Sequence, residues 1–260
     1  MYAHAAVGSG VTSQVNLLIG GLPLRLLSQD AEPLSAASRR YHAFAGILKE
    51  QFSIPVERET REEADHKMFA CEFEGARLRA DDNSVHFSGV RHEYALDSLL
   101  RMFLSWALLP EQGFLLHAAT VVHHGKAYVF FGRSGAGKST VSRLSPSGSV
   151  LTDEISLLKC VDGEWRAFGT PFWGEFCADG QNTSAPMAGL FRLVQSPSNS
   201  TERLRPAELL RALLSCVLFF SSQPRDHERL LPILTTACRD VRGYNLQFQK
   251  NRSFWEVLPS

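Results

Sequence analysis

Apolar and polar positions alternate along this chain in three regimes. Up to about Glu93 the apolar runs are short and period-two. VNLLIG (15–20), LPLRLL (22–27) and MFACEFEGARLRADDNSVHFSGV (68–90) read as strands separated by turns, with Phe69, Cys71 and Phe73 alternating with polar or small residues. Between the second and third of these, RRYHAFAGILKEQF (39–52) places Tyr41, Phe44, Ile47, Leu48 and Phe52 at helical spacing, which predicts a helix. YALDSLLRMFLSWALL (94–109) is apolar nearly all round and is stopped by Pro110, so it predicts a helix buried between two modules. The pattern therefore divides the chain into an α+β module over 1–110 and a second domain over 111–260.

The second domain interleaves strands and helices. FLLHAATVV (114–122) and KAYVFF (126–131) are strands joined at His123-His124-Gly125, a hairpin turn, and the two histidines read as turn residues. A short helix follows residue 138 and is ended by Pro146 and Gly148. SVLTDE (149–154) then reads as a strand ending in two carboxylates. PAELLRALLSCVLFF starts a helix with Pro206 in its first turn and buries Leu209, Leu210, Leu213, Leu214 and Val217. Pro232 inside HERLLPILTTACRD predicts a kink or break near Leu231, and Tyr244, Leu246 and Phe248 alternate as in a half-buried strand.

The candidate chemistry lies where the second strand ends. FFGRSGAGKST (130–140) fits the spacing G-x-x-x-x-G-K-[ST], with Gly132, Gly137, Lys138 and Ser139 at the fixed positions. Glycines let successive amides turn inward around an anion, the following helix starts with unpaired N–H groups, and the lysine reaches the outer phosphates. Gly132, Arg133, Ser134, Gly135, Ala136, Gly137, Lys138, Ser139 and Thr140 form the expected nucleotide loop, and Ser139 offers its hydroxyl to magnesium. Asp153 and Glu154 follow 15 and 16 residues after Lys138, where a second magnesium ligand or a base for an incoming hydroxyl is needed. His117 sits in the strand that would lie beside the one feeding the loop, within reach of the terminal phosphate. Glu175, flanked by Trp173 and Phe176, needs a partner among those aromatics and is a further catalytic or magnesium candidate. The small polar residues from Ala178 to Pro186 compose a cover over a site, with Cys177 as packing. Arg133 and Arg203 have the fork geometry that suits phosphate, although arginines in such loops are usually solvated.

Composition narrows the classes. Lys plus Arg equals Asp plus Glu at 27 each in 260 residues, so no basic field points to nucleic acid or an anionic membrane. The five cysteines are scattered without a C-x-x-C pair, which argues against a disulfide framework or zinc site and for a reducing cytoplasm. The longest apolar runs carry Arg25 or Arg101 and are too short for a bilayer, and no secretion signal is expected.

At LLHAATVVHHGKAYVFFGRSGAGKST and VLTDEISLL the chain resembles the HPr kinase/phosphorylase group, whose phosphate-loop core is shared with phosphoenolpyruvate carboxykinases. The likeness continues through GTPFWGEF (169–176), APMAGLFRL (185–193), the helix from Pro206 and VRGYNLQFQKNRSFWEV (241–257). The resemblance implies an α/β protein, α+β overall, with a mixed-sheet kinase core and a smaller amino-terminal α+β module. It implies ATP and Mg as cofactors, phosphoryl transfer to a serine hydroxyl of a protein or precursor peptide, and a homo-oligomer. In this likeness Lys138 is the phosphate clamp, Ser139 a magnesium ligand, His117 the histidine before the loop, and Asp153 the principal carboxylate. Glu154 stands where the family carries a second aspartate. The relatives that share the GTPFWGE-like segment look like accessory kinases, some of which phosphorylate a precursor peptide. The amino-terminal module then recognises the acceptor protein or peptide, or mediates self-association. A small-molecule kinase, or a nucleotide-sensing module without a protein acceptor, would use the same loop.

Overall fold

The computed structural model describes residues 13–28, 31–46, 69–81, 84–146, 148–172, 174 and 180–259. Strands β1 (Ser13–Ile19) and β2 (Leu22–Ser28) pair antiparallel as a hairpin, and period-two burial puts Leu22, Leu24 and Leu26 inside. β3 (Phe69–Phe73), β4 (Ala76–Ala80) and β5 (Val85–Ser88) complete a five-stranded sheet in the order β1-β2-β5-β4-β3. β5 lies parallel to β2 and every other pairing is antiparallel, so the sheet is mixed.

The helix expected over 39–52 falls elsewhere. α1 (Ala31–Arg40) ends where that stretch begins, and a 3-10 turn over His42–Phe44 follows. The Gly46 amide bonds to the Asn16 carbonyl and Ala45 bridges Leu17, so β1 supplies the main-chain partners that a continuing helix would have supplied. Tyr41 and Phe44 are nevertheless fully buried; Ile47, Leu48 and Phe52 lie outside the described residues. α2 (Glu93–Ala107) is the apolar helix expected before Pro110. It is tied to the end of α1 through Asp97, whose carboxylate receives the Tyr41 hydroxyl and a two-pronged contact from Arg40 at 3.1 and 2.5 Å.

The second sheet is built from β6 (Gly113–His123), β7 (Lys126–Phe131), β8 (Val150–Thr152), β9 (Ile155–Val161), β10 (Glu164–Phe168), β11 (Ser184–Gln195), β12 (Ser200–Leu204), β13 (Val217–Leu218) and β14 (Gly243–Phe248). Its order is β10-β9-β6-β7-β11-β14-β12, with β8 and β13 also paired to β6. β7, β11 and β14 run parallel and the other pairings are antiparallel, so this sheet too is mixed and the protein is mixed α/β. The β6–β7 hairpin turns at His124 and Gly125 with φ of 48° and 75°, the two positive angles of a type I′ turn. KAYVFF is apolar without alternation because both of its faces are covered: Val129 and Phe131 enter one core cluster, Tyr128 and Phe130 the other.

Three helices accompany this sheet: α3 (Lys138–Leu144), α4 (Pro206–Leu214) and α5 (Pro224–Asp240). α4 buries Leu209 and Leu213, but Leu214 is half exposed and Val217 belongs to β13, whose pairing to β6 ends the helical run. α5 passes through Pro232 without the expected break. Pro232 and Glu228, the residue whose carbonyl loses its partner, both lie on the exposed side, where water can take the freed carbonyl. The amino-terminal core is continuous with the second sheet, since Leu115, Ile155, Leu157 and Phe172 belong to the same cluster as β1, β2 and α2. At Gly20, with φ of 61°, a Cβ would stand 2.4 Å from the Leu157 side chain, so only glycine lets the β1–β2 turn sit against β9.

Candidate functional site

Strand β7 delivers Phe131 to the glycine-rich loop, and α3 leaves it at Lys138. Gly132, Gly135 and Gly137 take φ of 154°, 78° and 119°. Gly137 admits nothing larger, because a Cβ there would lie 2.9 Å from Cε1 of the buried Phe248. The Ala136 amide closes a turn on the Arg133 carbonyl, whereas the amides of Ser134, Gly135 and Gly137 bond to no backbone carbonyl among the described residues. Lys138 folds back over the loop, donating to the carbonyls of Gly132 at 3.0 Å and Arg133 at 3.4 Å, and is only 8% exposed. Burial lowers its pKa from the ordinary lysine value, against the opposing influence of Cys216 and Glu154. Ser139 and Thr140 are half-buried in the first turn of α3. The loop thus combines three amides that lack backbone partners among the described residues with one desolvated ammonium, donors of the kind that bind anions.

Register brings His117 to this loop. Ala118 of β6 stands opposite Phe131, which sets His117 level with Gly132, and Ile155 faces His117 from β9. The His117 amide bonds to the Cys216 carbonyl at 2.8 Å. Its half-buried imidazole has a lowered pKa, first from burial and then from the charges of Lys138 and Arg101, so it is neutral at pH 7.

The two carboxylates occupy the bend between β8 and β9. β8 pairs with β6, one strand removed from the strand that feeds the loop. Asp153 is 4% exposed and its Oδ1 accepts the Gly174 amide at 2.8 Å. Glu154 is the more open of the two. Its carboxylate lies 3.6 Å from Arg101 and bears on the charge of Lys138, while its carbonyl accepts the Ala118 amide at 3.0 Å. His117, Lys138, Glu154 and Arg101 therefore share one electrostatic neighbourhood.

Arg101 was not among the residues that motif reasoning selects. It projects from α2, is 16% exposed at its side chain, and lies 5.2 Å over the Phe172 ring. The available signal was the one basic residue inside a largely apolar helix, a costly position without a partner. Glu175, Trp173, Phe176 and Cys177 lie outside the described residues. The cover expected over 178–186 is in part strand, since Ser184 to Pro186 pair with β10. Among the described residues no group of three or more His, Cys, Asp or Glu is disposed to hold a metal ion, and no helix is long and apolar enough to cross a membrane.

The fold and site define a mixed α/β protein whose second sheet carries a strand–glycine-loop–helix unit with an inward lysine. Within that class the chain can be placed further: residues 97–258, well over half of it, match the family described as SynChlorMet cassette protein ScmC, and the chain belongs to that family. No curated protein matches. Among solved structures, the Hpr(Ser) kinase/phosphatase from Coxiella burnetii is similar at 13% identity, over 48% of this chain and 89% of that one, with a TM-score of 0.28.

Proposed function

We propose that this protein is a kinase that transfers the outer phosphoryl group of ATP to a serine hydroxyl of a protein or peptide. One observation carries the reading: the buried Lys138 ammonium is held against the carbonyls of a glycine loop in which the amides of Ser134, Gly135 and Gly137 have no backbone partner among the described residues. Residues 132–140 hold the donor's phosphates, with Lys138 as clamp. Ser139 and Asp153 would hold magnesium, which would supply charge neutralisation at those phosphates. His117, neutral and level with the loop, receives the proton of the attacking hydroxyl. A new bond forms between the serine oxygen and phosphorus, the bond to the ADP oxygen breaks, and the proton passes to the imidazole. Arg101 and Glu154 set the field around His117 and Lys138. The domain over 111–260 performs the transfer, and the amino-terminal module, 1–110, engages the acceptor outside its phosphorylated segment or mediates self-association.

The test is phosphoryl transfer from ATP labelled at its outer phosphate into host peptides and proteins, comparing the wild type with Asp153→Asn. Acid-stable label on serine is expected, with the variant keeping ATP affinity within about threefold while transfer falls by about 10²-fold or more. Full transfer by Asp153→Asn would remove that residue from the mechanism. Tight ATP binding with label only on a small metabolite, or on nothing, would replace the serine-kinase reading with a small-molecule kinase or a nucleotide sensor.

A further inference from the structure

Next to the phosphate loop, at the level where β7 ends, α4 overhangs a pocket of about 440 Å³. Strand register builds its floor: Phe131 stands opposite Arg192, Arg192 opposite Asn245, and Asn245 opposite Glu202. From α4 come Glu208 and Arg211, one helical turn apart on a single face. Arg133 of the loop and Arg203 of β12 bring to four the guanidinium groups around one opening. All four are exposed, and none forms a hydrogen bond or close ion pair through its guanidinium among the described residues.

The acidic residues of the pocket do not neutralise this cluster. Glu208 is occupied by Arg205 at 2.5 Å, a contact that pushes its carboxyl down to about 2. Glu202 is then one carboxylate facing four arginines. Converging cations repel one another, and an incoming anion that pairs with their planar forks relieves that repulsion. The floor carries a second feature. Oδ1 of Asn245 is buried and has no hydrogen-bond partner among the described residues, so a ligand donor that reached it would satisfy it. A peptide brings an amide N–H or a hydroxyl together with its carboxylates.

The pocket also opens on the reacting end of the loop. Cys216 lines it, accepts the His117 amide through its carbonyl, and lies close enough to Lys138 to bear on its charge. The arginines are exposed around an open trough, which suits a segment of a longer chain. A small metabolite would need walls that cover about 70–90% of its surface.

We infer that this pocket is the acceptor subsite of the proposed kinase, and that the acceptor is an acidic peptide segment whose Asp or Glu side chains flank the serine. The inference rests on the kinase reading for the word acceptor, and the pocket's chemistry is tested separately from turnover. Fluorescence anisotropy of a labelled serine peptide flanked by aspartate and glutamate, with full-length protein at low ionic strength, reads binding directly. Wild type binds this peptide at least about tenfold more tightly than a lysine-flanked one, and Arg192→Glu/Arg203→Glu loses about tenfold or more in affinity. Arg192→Lys/Arg203→Lys, which keeps the charge, retains more of the binding than the reversal does. Equal affinity for acidic and lysine-flanked peptides, or unchanged binding by the charge-reversed protein, overturns the inference. So does tighter binding of citrate than of the peptide, which would assign the pocket to a small polyanion.

Transfer assays with the same peptides separate the two readings. Equal phosphorylation of neutral and acidic serine peptides overturns the acidic-acceptor inference and leaves the kinase standing. Charge-dependent peptide binding with no transfer to any serine removes the kinase reading and leaves an acidic-peptide site.

Discussion

Lys138→Met removes the one ammonium inside the phosphate loop while keeping a side chain of similar volume. In the wild type that ammonium is 8% exposed and donates to the Gly132 carbonyl at 3.0 Å and, more weakly, to the Arg133 carbonyl at 3.4 Å. A hydrogen bond from a charged donor is worth about 1.5–3 kcal/mol, and the longer contact adds less. Against it stands the desolvation of a buried cation, which costs several kcal/mol after relaxation. The two nearly cancel, so folding stability should change by no more than about 1 kcal/mol, a shift of about 2–4 °C in Tm for a chain of this size. Nucleotide binding should change far more. A lost charge-assisted contact to phosphate of about 1.5–3 kcal/mol corresponds to about 10–150-fold in Kd. Thermal unfolding with and without ATP, together with calorimetric titration, measures both quantities on the same samples. Unaltered ATP affinity, or a loss of more than about 3 kcal/mol of stability, would refute the assignment of Lys138 as a phosphate clamp held in place at little net cost.

Three further outcomes are expected. Gly137→Ala forces a side chain onto φ of 119° and against the buried Phe248, at a cost of about 1–3 kcal/mol in urea denaturation; a wild-type midpoint would show that the loop relaxes freely. His117 must be unprotonated to accept a proton, and its pKa is depressed below the ordinary value of about 6.5. The acid limb of the kcat/KM profile, which reports the free enzyme, should therefore lie below pH 6.5 and disappear in His117→Gln, and an acid limb above that pH would contradict the burial argument. Pro232→Ala restores an amide to an exposed turn of α5 and should stabilise the protein by about 1–3 kcal/mol, whereas destabilisation would mean that the proline is required by packing.

Local rules made much of the fold readable in advance. Period-two alternation located the strands around Phe69–Phe73 and Tyr244–Phe248, and a doubly apolar run located β7, because these patterns report how many faces of an element are covered. They failed where a distant segment supplied the partner. After α1 a 3-10 turn leads into β1, which takes up Ala45 and Gly46, and α4 stops at Leu214 because β6 takes up Val217 and Leu218. Both partners are far away in sequence, so no window of neighbouring residues contains the reason.

The same division holds for the site. The chain by itself determined the strand–glycine-loop–helix unit, since glycine spacing, a preceding buried strand and a following lysine are all local and each has its own backbone requirement. Its spacing also nominated His117, Asp153 and Glu154. Only the tertiary structure decided which of them meet: register sets His117 level with Gly132, the β8–β9 bend gives Asp153 to the Gly174 amide, and α2 brings Arg101 to Glu154. Arg133, Arg192, Arg203 and Arg211 carry no motif and share no spacing, yet strand pairing and one face of α4 gather them around a single opening. Electrostatic fields depend on distance through space, and only the folded chain sets that distance.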